Sequence, residues 1–221
     1  MTGISREQIE GHLRFHPSVF REIYQPRYVN NIYFDSLALE NYRDSIDGTA
    51  RRMKVRIRWY GDLFGRVDEP KLELKEKQGL VNRKHTAPVN GFTLDAKINQ
   101  AEILRLLRTS ELPPSMSVFV RPMRAFLLNR YLRRYWISRD GHFRVTLDSN
   151  MTYYRMIQVS PRFSRARRDA RKLILELKYQ KGIDEDVAEV SRHFGCRLGK
   201  SSKYVTGMNL VYGFLNIIEA D

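Results

Sequence analysis

The 221 residues include a single cysteine, Cys196, which excludes an internal disulfide framework and a cysteine-built zinc site. No apolar run approaches the ~20 residues a helix needs to cross a bilayer. Met1 to Ile9 is polar and lacks the apolar stretch of a secretory signal. Glycine-rich phosphate loops of the Walker or dinucleotide type are missing, because Gly61, Gly65 and Gly79 stand apart at expected turns. The histidines, His12, His16, His85, His142 and His193, show no metal-ligand spacing and read as surface or packing residues. Repeats, low-complexity tracts and linkers long enough to divide domains are also lacking, so residues 1–221 are expected to form one domain. Acidic residues are in short supply: 25 Asp and Glu face 39 Lys and Arg, for a net charge of +14. These absences point to a cytoplasmic protein, at most peripheral to a membrane, whose excess charge calls for an anionic partner.

The pattern along the chain predicts an α+β fold, mostly antiparallel strands with helices around them. Ser5 and Gln8 have capping-box spacing, so a helix is expected to carry Ile9 and Leu13 inward and to stop before Pro17. Tyr28 to Asp35 reads as a strand, followed by a short helix from Ser36 to a cap at Gly48. Three segments of period two come next, at 50–60, 70–78 and 81–89. An amphipathic helix is expected from Asp95 to Arg108. Ser117 to Ile137 reads as extended, interrupted at Pro122, with a hairpin at 139–141 leading into 143–148. A basic loop, a strand at 172–179 and helices at 184–194 and 202–216 complete the chain.

The charges alternate with apolar residues on these strands. Side chains two apart share a face, so Arg52, Lys54, Arg56 and Arg58 lie opposite Met53, Val55 and Ile57. Lys71, Glu73, Lys75 and Lys77 oppose Leu72 and Leu74. Lys172, Glu176 and Lys178 oppose Leu173, Leu175 and Leu177, while Arg144, Thr146 and Asp148 oppose Val145 and Leu147. Strand by strand, a charged face in water is the ordinary reading. Several adjacent strands doing it together put like charges side by side, which destabilises a sheet unless an anion or carboxylates offset them. A closed sheet would make that face a basic tunnel, with a few Glu residues suited to a divalent cation.

Six motifs stand in order on these segments: Ile32–Tyr33–Phe34–Asp35, Arg56–Ile57–Arg58–Trp59–Tyr60–Gly61, Leu72–Glu73–Leu74–Lys75, Arg144–Val145–Thr146–Leu147–Asp148, Leu175–Glu176–Leu177–Lys178 and Ser202–Lys203–Tyr204. From about Tyr28 to about Gly207 the chain resembles the catalytic domain of the vacuolar transporter chaperone (VTC) family, the polyphosphate polymerases. That family lies within the triphosphate tunnel metalloenzymes, related to the CYTH phosphatases. The resemblance implies an antiparallel β-barrel of about eight strands that binds triphosphate or polyphosphate in its bore. It implies a metal-dependent transfer of the ATP γ-phosphoryl group, with Mn²⁺ or Mg²⁺ as cofactor. Residue by residue it makes Arg56 and Arg58 a phosphate-binding pair. It matches Lys75 and Lys84 (with Arg83 competing for that place) to basic residues on the next hairpin, Arg133 and Arg144 to tunnel arginines, and Lys203 to a lysine near the final helix; Glu176 takes a metal-ligating role, and Lys178 shares its face as a further site residue. The family opens with a strand of alternating acidic and basic residues. This sequence begins Met1–Thr2–Gly3–Ile4 and passes straight into the first helix, so the barrel is expected to lack its first strand.

Three function classes are carried forward: a polyphosphate polymerase, a hydrolase of triphosphate or a related substrate in the same tunnel, and a non-catalytic binder of polyphosphate or RNA. Nucleic acid is the weaker partner, because alternating Arg-x-Arg and Glu-x-Lys strands favour a tunnel over a groove with exposed aromatics. A membrane-protein partner stays open. The six basic residues in Arg162–Lys172 read as a solvated loop, with phosphate-rich partners as the alternative. Trp59, Trp136, Tyr153 and Tyr154 read as packing residues before nucleobase platforms, and Cys196 as a structural thiol.

Overall fold

A computed structural model describes residues 4–79, 81–95, 98–156, 166–180, 182, 184–196 and 199–214. The helix α1 (Arg6–Arg14) starts at the expected capping box, with Gln8 N–H donating to Ser5 Oγ and Ser5 N–H to Gln8 Oε1. Strand β1 (Arg21–Asp35) begins seven residues earlier than the sequence suggests. Its first part is exposed and contains Pro26, which hides the strand pattern. Helix α2 (Glu40–Asp47) ends at Gly48, whose φ of 69° suits glycine. Then come β2 (Arg51–Tyr60), β3 (Gly65–Val67), β4 (Lys71–Gln78), β5 (Val81–Pro88) and β6 (Phe92–Leu94). Strands β3 and β6 pair with each other; three residues are too few to show a period.

Helix α3 (Gln100–Thr109) is followed by α4 (Pro114–Val120), where an extended segment was expected from Ser117. Proline at the first helical position costs no hydrogen bond, and Met116 and Val120, one turn apart, are both buried. Strand β7 (Arg124–Ile137) turns into β8 (Phe143–Arg155), which continues past Asp148. Asn150 has a φ of 52°, and this break in the extended backbone disrupts the alternation. Strand β9 (Arg167–Asp169) lies within the stretch read as a basic loop; Arg162 and Arg165 of that stretch lie outside the described residues. The chain then forms β10 (Ile174–Tyr179), α5 (Asp184–Arg192) and α6 (Lys203–Tyr212).

The eight-stranded sheet runs β10-β8-β7-β1-β2-β4-β5, with β9 paired to β8. The fold class is α+β around an antiparallel sheet, as the alternation implies. Among the described residues the strand path has two ends, β5 and β10, and no pairing joins them.

Two compact units make up the chain. The first combines Met1–Arg27, Leu132–Asn150 and Ala170–Ser201; the second combines Tyr28–Tyr131, Met151–Asp169 and Ser202–Asp221. In the first, Trp136, Val145 and Leu147 pack with Ile9 and Leu13 of α1 and Val190 of α5. In the second, Val55, Ile57, Leu72 and Leu74 pack with Ile103, Leu107, Met116 and Val120 of α3 and α4. Helix α6 covers part of the opposite face of this second unit. Tyr204 stacks on Tyr33 with ring centroids 5.2 Å apart. Gly207 lies so close to Leu127 and Tyr153 that a Cβ there would meet both at 2.5 Å. Apolar helices on one face and a lightly covered charged face on the other are what the two-residue period prescribes.

Candidate functional site

In the second unit the charged face is organised by Glu73. Strand register puts Arg56 directly opposite Glu73, and Tyr33 opposite Arg56 on the other side. Glu73 Oε2 accepts from Arg56 Nε at 2.8 Å and from a terminal nitrogen of Arg56 at 2.6 Å. A terminal nitrogen of Arg58 lies 3.6 Å from the same oxygen, and Lys84 Nζ lies 2.7 Å from Oε1. The Glu73 side chain is only 6% exposed. Burial alone would raise its pKa, but Arg56, Arg58 and Lys84 outweigh this and hold it at about 2. One carboxylate therefore serves three cations, and the face keeps a surplus of positive charge.

That surplus reaches its neighbours. Burial pushes the Tyr33 phenol up, yet Arg56, Arg58 and Lys203 outweigh it and bring the group below its ordinary value. Arg56 also donates to Tyr33 Oη at 3.3 Å. Arg58 Nε donates to Asn31 Oδ1 at 2.9 Å, and a terminal nitrogen of Arg58 donates to Tyr131 Oη at 3.3 Å. Lys203 Nζ stands 4.9 Å from the Tyr131 ring centroid. These contacts fix the arginine forks before any ligand arrives. Asp35, fully buried beside them, takes another part. It accepts from the N–H groups of Ser36, Asn41 and Tyr42 and from Tyr204 Oη at 2.6 Å, so it anchors both α2 and α6. Burial raises its pKa.

The first unit carries its own cluster. Asp148, fully buried, holds Arg133 through paired contacts of 2.5 and 2.8 Å. Glu176 lies 3.9 Å from Arg133 and 3.6 Å from Lys178, and its side chain is 44% exposed. Register places Glu176 opposite Thr146 and Lys178 opposite Arg144.

The expected site residues thus fall into two groups: Arg56, Arg58, Lys75, Lys84 and Lys203 in the second unit, and Arg133, Arg144, Glu176 and Lys178 in the first. Contact with Glu73 places Lys84 on the charged face, whereas Arg83 sits opposite Glu76. Glu73 and Asp148 were not among the residues assigned roles from sequence. The signal for Glu73 was present: the tetrapeptide Leu-Glu-Leu-Lys occurs at 72–75 and again at 175–178.

Other candidates resolve into packing. Trp59, Trp136 and Tyr153 are buried, and Tyr154 packs against the core. His12, His16 and His193 line a cavity of about 390 Å³ with Gln8, Gly11 and Phe15. His16 Nδ1 accepts from Ser18 N–H and Nε2 lies 3.0 Å from Val190 O, and burial lowers its pKa. Cys196 is exposed rather than structural; it follows a turn at Gly195 with φ of 61°. Among the described residues no group of three or more His, Cys, Asp or Glu side chains could hold a metal by itself, and no helix is long and apolar enough to cross a membrane.

Comparison with solved structures finds a candidate adenylate cyclase from Vibrio parahaemolyticus, at 9% identity and a TM-score of 0.51, covering 92% of each chain. A protein of Pyrococcus horikoshii OT3 matches at 13% identity and a TM-score of 0.48, over 92% of this chain and 93% of that one. The Vibrio likeness shows a shared fold. No curated protein matches the chain in sequence. The family profile described as VTC domain matches residues 5–212, nearly the whole sequence. The chain belongs to the VTC domain family.

Proposed function

We propose that this protein is a metal-dependent polyphosphate polymerase, which transfers the γ-phosphoryl group of ATP to a growing polyphosphate chain. The observation that carries the reading is the cation excess around Glu73, where Arg56, Arg58 and Lys84 share one buried carboxylate. Such a face is an anion site with its donors already oriented, and phosphoryl transfer depends mainly on alignment and charge stabilisation. In the transfer, the bond from the γ-phosphorus to the β-phosphate oxygen breaks, and a terminal phosphate oxygen of the chain forms the new bond. ADP leaves. Arg56 and Arg58 grip phosphate oxygens as forks, while Lys75, Lys84 and Lys203 act as mobile point charges. Arg133, Arg144 and Lys178 add cations on the face that carries Glu176.

Glu176 fits a divalent cation. Its oxygens are half-exposed and held only at 3.6 and 3.9 Å, whereas Asp148 is committed to Arg133. A hard cation of the Mg²⁺ or Mn²⁺ kind needs only one or two carboxylates when phosphates and water complete its shell. Bound there, it would offset charge on the phosphate oxygens.

The test is to incubate the protein with ATP and Mn²⁺ and to separate the products by chain length. The expected result is ADP together with polyphosphate chains. Orthophosphate without chains would instead assign a hydrolase, and binding of polyphosphate without turnover would assign a binder.

A further inference from the structure

The cations on β2 do not stop at Arg56. Lys54 lies two residues away on the same face; its partner in β4 is Lys75, and the partner of Lys75 in β5 is Lys84. Three lysines therefore stand abreast on three adjacent strands. Like charges directly opposite one another destabilise a sheet. The neighbouring rung, Arg56–Glu73–Thr86, shows the usual remedy, a carboxylate set between.

Lys54 has no such relief. Among the described residues it makes no ion pair; its Nζ donates to Ser202 Oγ at 2.9 Å, the N-cap of α6. A hydroxyl takes one of the three ammonium protons and offsets none of the charge. Burial, then Arg52, Arg56 and Lys203, push the Lys54 pKa down, and Tyr33 alone acts the other way. A half-buried ammonium in that position gains more from an arriving anion than a solvated surface lysine does. From Arg58 to Arg52 the row extends about 20 Å, at ~3.4 Å per residue, which is longer than three linked phosphates.

We propose that Lys54, with Lys75 and Lys84, forms a second phosphate subsite beside the Arg56–Arg58 pair, which binds the phosphates of a polyphosphate chain lying beyond triphosphate length. This rests on the polyphosphate reading above and adds the residue that separates long from short ligands. The ammonium meets the chain's oxygens and keeps its contact with Ser202, so the ligand also braces the start of α6.

The test measures binding of inorganic triphosphate and of long-chain inorganic polyphosphate, at one ionic strength, to the parent, Lys54→Met and Lys54→Arg. Lys54→Met should lose about tenfold in affinity for the long chain, the scale of one charged hydrogen bond. Triphosphate affinity should stay within about twofold, and Lys54→Arg should restore long-chain binding. Undiminished long-chain binding by Lys54→Met overturns the proposal. So does an equal loss for both ligands with a lowered Tm, which would mean that Lys54 merely positions α6 through Ser202. A parent that binds both ligands upholds the polyphosphate reading whatever the variants do. A parent that binds neither removes both, and one that binds triphosphate alone removes the subsite.

Discussion

The tetrapeptide Leu-Glu-Leu-Lys occurs in β4 and in β10, and its glutamate meets opposite surroundings in the two. In β4, Glu73 is enclosed by Arg56, Arg58 and Lys84 and has lost nearly all contact with water. In β10, Glu176 remains 44% exposed, with cations at 3.6 and 3.9 Å. The part that Glu73 plays in its unit falls in the other to Asp148, which holds Arg133 through both oxygens. Identical local sequence, equal alternation and the same residue type thus yield a saturated carboxylate in one place and one with room for a cation in the other. The strands alongside decide which.

The largest expected effect comes from removing the saturated carboxylates. Glu73→Gln would leave Arg56 and Arg58 buried without their counter-charge, a loss of roughly 3–5 kcal/mol. Asp148→Asn should cost a similar amount through Arg133. Urea denaturation monitored by circular dichroism checks both, and a cost below about 1 kcal/mol for either would show that the carboxylate does not hold its buried arginines.

Acid should separate the two units next. Glu73 is held at about 2, below its ordinary value of 4.5, so its contribution is complete above the ordinary value and lost as pH falls toward 2. His16 behaves differently. Burial lowers its pKa, so the folded state prefers the neutral ring, and stability is lost as pH falls below the ordinary 6.5. Amide protection factors in α1 and α5, relative to the intrinsic exchange rate at each pH, should therefore fall between pH 7 and 5, before those in β2 and β4 do. Simultaneous loss of protection would contradict this order.

Glu176→Gln is expected to have the smallest effect on stability, within about 1 kcal/mol, because exposed ion pairs contribute little. The same denaturation series measures it against Glu73→Gln. Equal costs for the two glutamates would mean that their surroundings do not differ as described.

Much of this arrangement was legible in the sequence. Period-two alternation placed Arg56, Arg58, Lys75 and Glu176 on charged faces because burial of Val55, Ile57 and Leu74 forces their neighbours the other way. The capping box at Ser5 marked α1 because it is a local contact. Where the outcome depended on partners distant in sequence, alternation gave no guide. Nothing local separates Glu73 from Glu176; Arg56 and Arg58, brought alongside by strand register, do that. Helix α4 was hidden because Ser117 to Val120 suits either state, and Pro114 with the Met116–Val120 spacing settles it as helix. The broken alternation at Asn150 concealed the second half of β8.

The most direct test of the proposed polymerase and its metal site is the Mn²⁺-dependent conversion of ATP to polyphosphate by the parent and by Glu176→Gln, with polyphosphate binding measured on both. The parent should be active and the variant slower by roughly 10²-fold or more, the scale of one lost preorganised electrostatic contact. Polyphosphate binding by the variant should be undiminished, since the cations around Glu73 are untouched. Equal rates for the two proteins would contradict the assignment of the metal to Glu176, and an inactive parent would contradict the polymerase itself.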